Sequence, residues 1–510
     1  MNHNTPGWGT GAILSLTLAM ALISSCSWKV GPDYVPPEET DLPDAWHEAA
    51  VDGLAKGESS IQTWWQVLED PVLNDLIRRA GAGNLTLQES FYRVVEARAL
   101  RGIATGEKVP SVDAFGSYDR AEFSEAGVAP VPPGTGPVNI WNLGAGFTWE
   151  LDVWGRVRRS VESATAGVEA SVEDYRDVLV GVFAEVALSY VEIRALQDRI
   201  DYAHGNIKTQ EQTMQLTQDR FAAGLVSLLD VAQSESILAA TRSEIPVLET
   251  ALELAYNRLA VLLGQHAGSL QRELRSVPGR IPRLPDLVAV GLPADLLRQR
   301  PDIRAAEREL ASQTALIGVA RGELYPTFGL SGNLQLEALD FSDLGNSSSL
   351  TWGLGPFFRW NIFAGGRIRN RIRVEEARTT QALIRYEETV LRAVQEVENS
   401  MVAYQNERER LRRLGDSVDA TQRSLDLVLT QYKAGLTDFQ NVLDTQRSLF
   451  DRQDRLAESH GLVVQDLIFL YRAVGGGWDP NSMEPDLALN ADAQTAEPST
   501  TQTDREGVQP

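Results

Sequence analysis

The sequence has one cysteine in 510 residues, Cys26. A lone thiol excludes an internal disulfide, and no second cysteine or histidine cluster is available to build a metal site around it. Histidine is nearly as scarce: His3, His47, His204, His266 and His460 are scattered without ligand spacing. No nucleophile elbow occurs, and no glycine-rich phosphate loop follows a strand. An enzyme is therefore not expected, nor a cofactor or resident metal. Positive charge is also in short supply. Forty-seven Lys and Arg against 70 Asp and Glu give a net charge of -23, which argues against nucleic acid or an anionic lipid surface as the main partner. Even the opening "MNHNTPGWGT" has no Lys or Arg, unlike an ordinary export signal.

What is present begins with Gly11 to Ile23, "GAILSLTLAMALI", an apolar run of signal-peptide size and short of the ~20 residues of a membrane-spanning helix. Ser24 and Ser25 precede Cys26, an arrangement that resembles a bacterial lipobox. It implies cleavage before Cys26 and acylation of the new N-terminus, two or more chains giving a stable anchor. Residues 1–25 are thus expected to be a signal peptide and 26–70 a lipidated N-terminal segment.

Internal repetition organises the rest. "TWELDVWGRVRR" from Thr148 matches "RWNIFAGGRIRN" from Arg359, and "RFAAGLVSLLDVAQSE" from Arg220 matches "QYKAGLTDFQNVLDTQ" from Gln431, both at an offset of 211. "GEKVP" and "GELYP" match at 216, so a surface loop is five residues longer in the first half. The repeats span 71–263 and 292–477, joined by a linker at 264–291. In each, a helical segment (Pro71–Glu107, Ala294–Glu323) leads into two stretches with period-two alternation. Four strands per chain follow, either as two hairpins on a soluble helical protein or as part of a membrane barrel.

Two proline-free runs, Arg156–Ala223 and Arg367–Lys433, predict helices of ~100 Å. Leu411, Leu414, Val418, Thr421, Leu425, Val428 and Tyr432, and on a return limb Leu248, Leu252, Ala255, Leu259 and Leu262, have coiled-coil spacing and read as packing seams. Gly224 and Gly435 end the outgoing helices, and the apolar pattern then resumes, so both mark hairpin tips. "GGG" at Gly475–Gly477 reads as a helix stop, and 478–510 has the composition of a disordered tail. In lipid, strands cross only as a closed barrel of about eight or more. Four strands in a membrane therefore require several chains to share one barrel.

"VGPDYVPP" (Val30–Pro37), "WWQVLEDPVL" (Trp64–Leu73), "ELDVWGRVRR", "LPADLLRQRPDIRAAE" (Leu292–Glu307), "YKAGLTDFQNVLDTQRSLF" (Tyr432–Phe450) and "YRAVGGGW" (Tyr471–Trp478) resemble the outer-membrane efflux channels of the TolC and OprM family, in its lipoprotein, NodT-like branch. The resemblance covers about residues 26–478. It implies a mainly α fold with a membrane β-barrel: a homotrimer with a 12-stranded barrel and a long coiled-coil α-barrel in the periplasm. It further implies a periplasmic adaptor (membrane fusion protein) and an inner-membrane transporter of the resistance-nodulation-division type as partners, with outer-membrane lipid around the barrel. The same duct serving a protein-secretion pump is the alternative, and a scaffold lipoprotein whose hairpins never insert is the alternative of a different class. By the same resemblance, Gly224, Leu225, Gly435 and Leu436 are adaptor-contact tips. Tyr432, Asp444 and Arg447, read on the return limb after the second tip, hold the periplasmic entrance closed, with Asp230 at the related position after the first.

Overall fold

The computed structural model describes residues 29–37, 46–47, 54–56, 61–124, 132, 136–276, 280–285, 288–290 and 299–479. Cys26 with its apolar leader, and the tail from Pro480, lie outside the described residues. The main elements in chain order are α1 (Pro71–Gly83), α2 (Leu85–Gly106), β1 (Ser111–Ala121), β2 (Val138–Leu151), α3 (Arg156–Ala222), α4 (Leu228–Leu262), α5 (Pro301–Gly322), β3 (Thr327–Ala338), β4 (Leu350–Arg359), α6 (Arg367–Lys433) and α7 (Phe439–Ala473). The repeat is visible in their boundaries. Both ends of α2 and α5 are 216 residues apart, and both ends of α3 and α6, and of α4 and α7, are 211 apart. Main-chain contacts divide the chain into two compact units, Met1–Ala45 with Tyr92–Asp174 and Pro293–Gln395, and Trp46–Phe91 with Tyr175–Leu292 and Glu396–Pro510.

The first unit carries a four-stranded antiparallel sheet in the order β1-β2-β3-β4. Side chains alternate between faces along a strand, so the register sorts them. Phe147, Trp149 and Leu151 pair with Gly332, Leu330 and Phe328, and these continue to Leu354, Pro356 and Phe358, which makes one face apolar. On the other, Asn142, Thr148 and Glu150 pair with Glu337, Ser331 and Gly329, and Thr327 with Arg359. Among the described residues nothing covers this face: Trp352 is 75% and Phe358 71% exposed. A surface of this kind marks an interaction with lipid or protein. Trp149 and Trp360, equivalent in the repeat, each donate from the indole to a carbonyl, Lys108 O and Leu324 O, at 3.0 Å.

Residues 29–37 lie against α3 and α5. The Val30 N–H donates to Trp154 O at 3.0 Å. The guanidinium of Arg159, 1% exposed, donates to Val30 O (3.2 Å) and to Asp33 (2.8 Å).

One expectation changes. Pro71–Glu107 is two helices. The Asn84 N–H closes α1 on Ala80 O (2.9 Å), while its side-chain oxygen accepts from the Leu87 N–H (2.9 Å) and its amide donates to Leu262 O (2.8 Å). Asparagine competes with the helix for backbone partners and here serves as a cap for both halves. Of the segment expected to be helical from Ala294, α5 begins at Pro301, where Pro at the first position suits a helix start, and the expected start lies outside the described residues.

In the second unit, α1 is capped by Asp70, whose carboxylate accepts from the Val72 and Leu73 N–H groups at 2.9 and 3.1 Å. Trp64 stacks on Tyr471 at 5.5 Å. The triple glycine ends α7 as expected, with Gly475 and Gly477 at φ 79° and 114° and the Gly477 N–H bonded to Ile61 O at 2.9 Å. The linker contains more structure than expected: Val288–Val290 pairs in parallel with Leu54–Lys56. Among the described residues no helix is long and apolar enough to cross a membrane.

Candidate functional site

The two hairpin tips are built alike. Gly224 (φ 72°) and Gly435 (φ 74°) take the left-handed conformation that glycine adopts without steric cost. Leu225 and Leu436 donate back to Arg220 O (2.8 Å) and Gln431 O (2.9 Å), and the glycines to Phe221 O (2.8 Å) and Tyr432 O (2.9 Å). Each tip is thus a Schellman stop, and it leaves Leu225 and Leu436 projecting, both largely exposed.

Around this common frame the tips differ. Tyr432 and Phe439 are 2% and 3% exposed, with rings 5.3 Å apart, in a cluster with Ile237, Val442 and Leu443. Their counterparts at offset 211, Phe221 and Leu228, are 43% and 64% exposed. Tyr432 therefore lies on the outgoing helix α6, not on the return limb where the sequence reading put it. Burial pushes its phenol pKa up. Arg220 explains much of the difference. It lies over the Tyr432 ring at 4.8 Å and donates to Tyr432 O (2.9 Å) and Lys433 O (3.0 Å), where a cation favours a helix C-terminus. Its counterpart is Gln431.

The charged candidates separate as well. The Asp230 carboxylate accepts from the Ser227 N–H at 3.0 Å and closes the first turn of α4. Asp444 and Arg447 sit one turn apart on α7, 3.9 Å from each other and 59% and 56% exposed. Asp444 also accepts from Gln440 at 3.0 Å. Asn441, at the position equivalent to Asp230, donates to Thr437 at 2.9 Å. Arg220, Phe439 and Leu228 lie in the repeated blocks but are not marked by the sequence as site residues. The signal for Arg220 was its place in the last turn of a long helix, and for the other two it was the apolar residue four positions beyond each tip glycine.

Among the described residues no group of histidines, cysteines and carboxylates is arranged to hold a metal ion. Cys26 lies outside the described residues, four residues before Val30.

With this geometry in view, residues 76–265 and 292–476 match the profile of a family described as outer membrane efflux protein. The chain is similar to Nodulation protein T of Rhizobium leguminosarum bv. trifolii, 33% identical over 464 residues that cover 90% of this chain and 96% of the relative. It is similar to the pyoverdine export outer membrane protein OpmQ of Pseudomonas aeruginosa, 30% identical with 91% and 97% covered. Among solved structures, the outer-membrane channel OprN superposes with a TM-score of 0.82 at 34% identity, covering 88% of this chain and all of that one.

Proposed function

The chain belongs to the outer membrane efflux protein family, and from that premise we propose how it works. It is an outer-membrane efflux channel that extends into the periplasm, and its partners are a periplasmic adaptor and an inner-membrane pump. It makes and breaks no bonds, and the pump supplies the energy. We assign the homotrimer, the tips and the gate as follows.

The observation that carries the trimer is the sheet. Its apolar face suits lipid and its polar face suits a water-filled lumen, yet β1 and β4 are edges, and edges cannot stay unpaired in hydrocarbon. Three copies close a barrel of 12 strands, β4 of one pairing with β1 of the next. The tips support the same assembly. Phe221 and Leu228 are exposed where Tyr432 and Phe439 are covered, and a neighbouring copy supplies the cover that the second tip finds within its own chain.

Leu225, with Gly224 at its turn, and Leu436, with Gly435, meet the adaptor, and the pump is of the resistance-nodulation-division type. Asp444 and Arg447, with Tyr432 and Asp230 behind them, hold the periplasmic entrance closed; carboxylates gathered around a three-fold axis repel unless a cation is close. Cys26 carries the lipid anchor.

Planar-bilayer recording of the purified chain, with fractionation of cells, tests the proposal. Discrete conductance steps and recovery in the outer membrane are expected. Recovery as a periplasmic lipoprotein without conductance overturns it in favour of a scaffold.

A further inference from the structure

The two strand-to-helix junctions share a Trp-Gly-Arg frame and differ in charge. At offset 211, Glu150 aligns with Asn361, Asp152 with Phe363, Arg156 with Arg367 and Arg158 with Arg369. In the first junction the arginines are neutralised in place. Arg156 donates twice to Glu150, at 3.0 Å each, and Arg158 donates to Asp152 at 3.1 Å. In the second, both carboxylates are gone. Arg367 donates to Ala364 O at 3.3 Å. Among the described residues neither it nor Arg359 has a carboxylate partner.

Arg359 and Arg367 line a cavity of about 590 Å³ together with Arg156, Arg371 and Glu323. The single carboxylate in that wall, Glu323, is taken by Arg371, and Arg156 is taken by Glu150. Gly322 admits the stem of Arg156, since a Cβ there would stand 3.0 Å from Arg156 Cβ. The cavity belongs to the polar face of the sheet: Arg359 pairs with Thr327, in the same alternation as Glu150. Two guanidiniums without counter-ions, in a chain of net charge -23, are a local reversal of sign. Guanidinium forks match the oxygens of phosphate, sulfate or carboxylate bidentately.

We infer that Arg359 and Arg367 form an oxyanion-binding station in the channel wall, which takes a phosphate, sulfate or carboxylate group of a solute passing along the polar face. This rests on the channel reading above. In a homotrimer the station is present three times around the axis, which adds to its field on a multivalent anion.

The test uses the full-length protein and inorganic tripolyphosphate, in planar bilayers at about 0.1 M salt so that screening is modest. Wild-type current is expected to be blocked by tripolyphosphate. Arg359→Gln with Arg367→Gln is expected to raise the half-blocking concentration roughly tenfold or more, the scale of losing charged hydrogen bonds. Asn361→Glu restores the pairing of the first junction without removing an arginine, and is expected to do the same. Calorimetric titration of the detergent-solubilised protein is expected to rank the three proteins in the same order, independently of insertion. Equal block of all three overturns the station and leaves the channel intact. Arginine variants that no longer form trimers, with Asn361→Glu blocked as strongly as wild type, also overturn it, because a carboxylate of a neighbouring copy then fills the cavity. Wild-type protein without any conductance overturns the channel reading itself.

Discussion

The first and second hairpin tips have the same helix boundaries at an offset of 211 and the same glycine stop, yet they distribute their apolar side chains in opposite ways. The second tip buries Tyr432 and Phe439 against each other and against Arg220 and Ile237 of the first hairpin. The first leaves Phe221, Leu225, Leu228 and Leu229 in the open. Duplication preserved the turn, which backbone geometry dictates. The surfaces diverged: Arg220 and Ile237 cover the second tip, and the equivalent side chains of the first are exposed.

The sharpest way to break this comparison is to remove the aromatic from each tip. Phe439→Ala should cost about 3–5 kcal/mol, the range for a buried phenylalanine, and should speed amide exchange at the start of α7. Leu228→Ala should leave the stability of its own hairpin nearly unchanged and lower trimer yield instead. Equal losses of hairpin stability in both variants would remove the distinction. Leu225→Glu, at a projecting position, should weaken export while trimers still assemble, and unaltered export at normal protein levels would count against contact with an adaptor there.

A smaller effect separates the two acidic candidates near the tips. Asp230 closes a helix turn by accepting the Ser227 N–H, so Asp230→Ala should cost about 1 kcal/mol in local stability, seen as faster exchange at the start of α4. Its single-channel conductance measures what Asp230 adds to the gate beyond the cap: no change would confine it to the turn.

Equivalent carboxylates on α3 and α6 offer a test by pH. Asp198 lies in a cavity of about 700 Å³ with Asp201, Arg280 and His460. Burial first, and then Asp201, raise its pKa to about 6 against the pull of Arg280 and Arg194; burial also lowers that of His460. At offset 211 stands Glu409, whose pKa is lowered by Arg413 and Arg412 on an open surface. A raised carboxylate opposes folding when charged, so that penalty is complete at pH 7 and fades as pH falls through about 6. Protection factors around residues 194–206, taken relative to the intrinsic exchange rates, should therefore rise by a few-fold from pH 7 to 5 in a His460→Gln background, which removes the opposing histidine, and Asp198→Asn should flatten the profile. A lowered carboxylate has the opposite sign, its contribution being lost only as pH falls below the ordinary carboxylate range. The protection factors of amides near Glu409 should not change over the same window.

These contrasts also mark where the sequence was legible. The repeats, the four strands, the two long helices and both tip glycines could be read because they follow from periodicity and from residues with restricted backbone freedom. The break at Asn84 could not, since it depends on a side chain that bonds Leu262 O, 178 residues away. Nor could the burial of Tyr432. A seam of three-and-four spacing identifies it as a packing residue, but only the arrival of Arg220 and Ile237 from the other hairpin makes its environment different from that of Phe221. The charge reversal at Asn361 was present in the alignment of the repeats and gained meaning once Glu150 was seen to hold Arg156.

The smallest expected effect on stability belongs to Asp444 and Arg447. They are one helical turn apart, 3.9 Å from each other and more than half exposed, a geometry worth about 0.2–0.5 kcal/mol on a helix surface. Their counterparts at offset 211 are Gln233 and Ser236, so charge here distinguishes one tip from the other while adding little to folding. If these charges act only within the chain, Asp444→Ala with Arg447→Ala is silent in every measurement. If they meet around a three-fold axis, the same double variant keeps its stability, raises single-channel conductance and loses cation preference, because a ring of carboxylates at a constriction favours cations. Gln233→Ala with Ser236→Ala, the matched change at the first tip, should alter neither property. A double variant at Asp444 and Arg447 with wild-type conductance and selectivity would take both residues out of the gate and leave them as an ordinary surface pair.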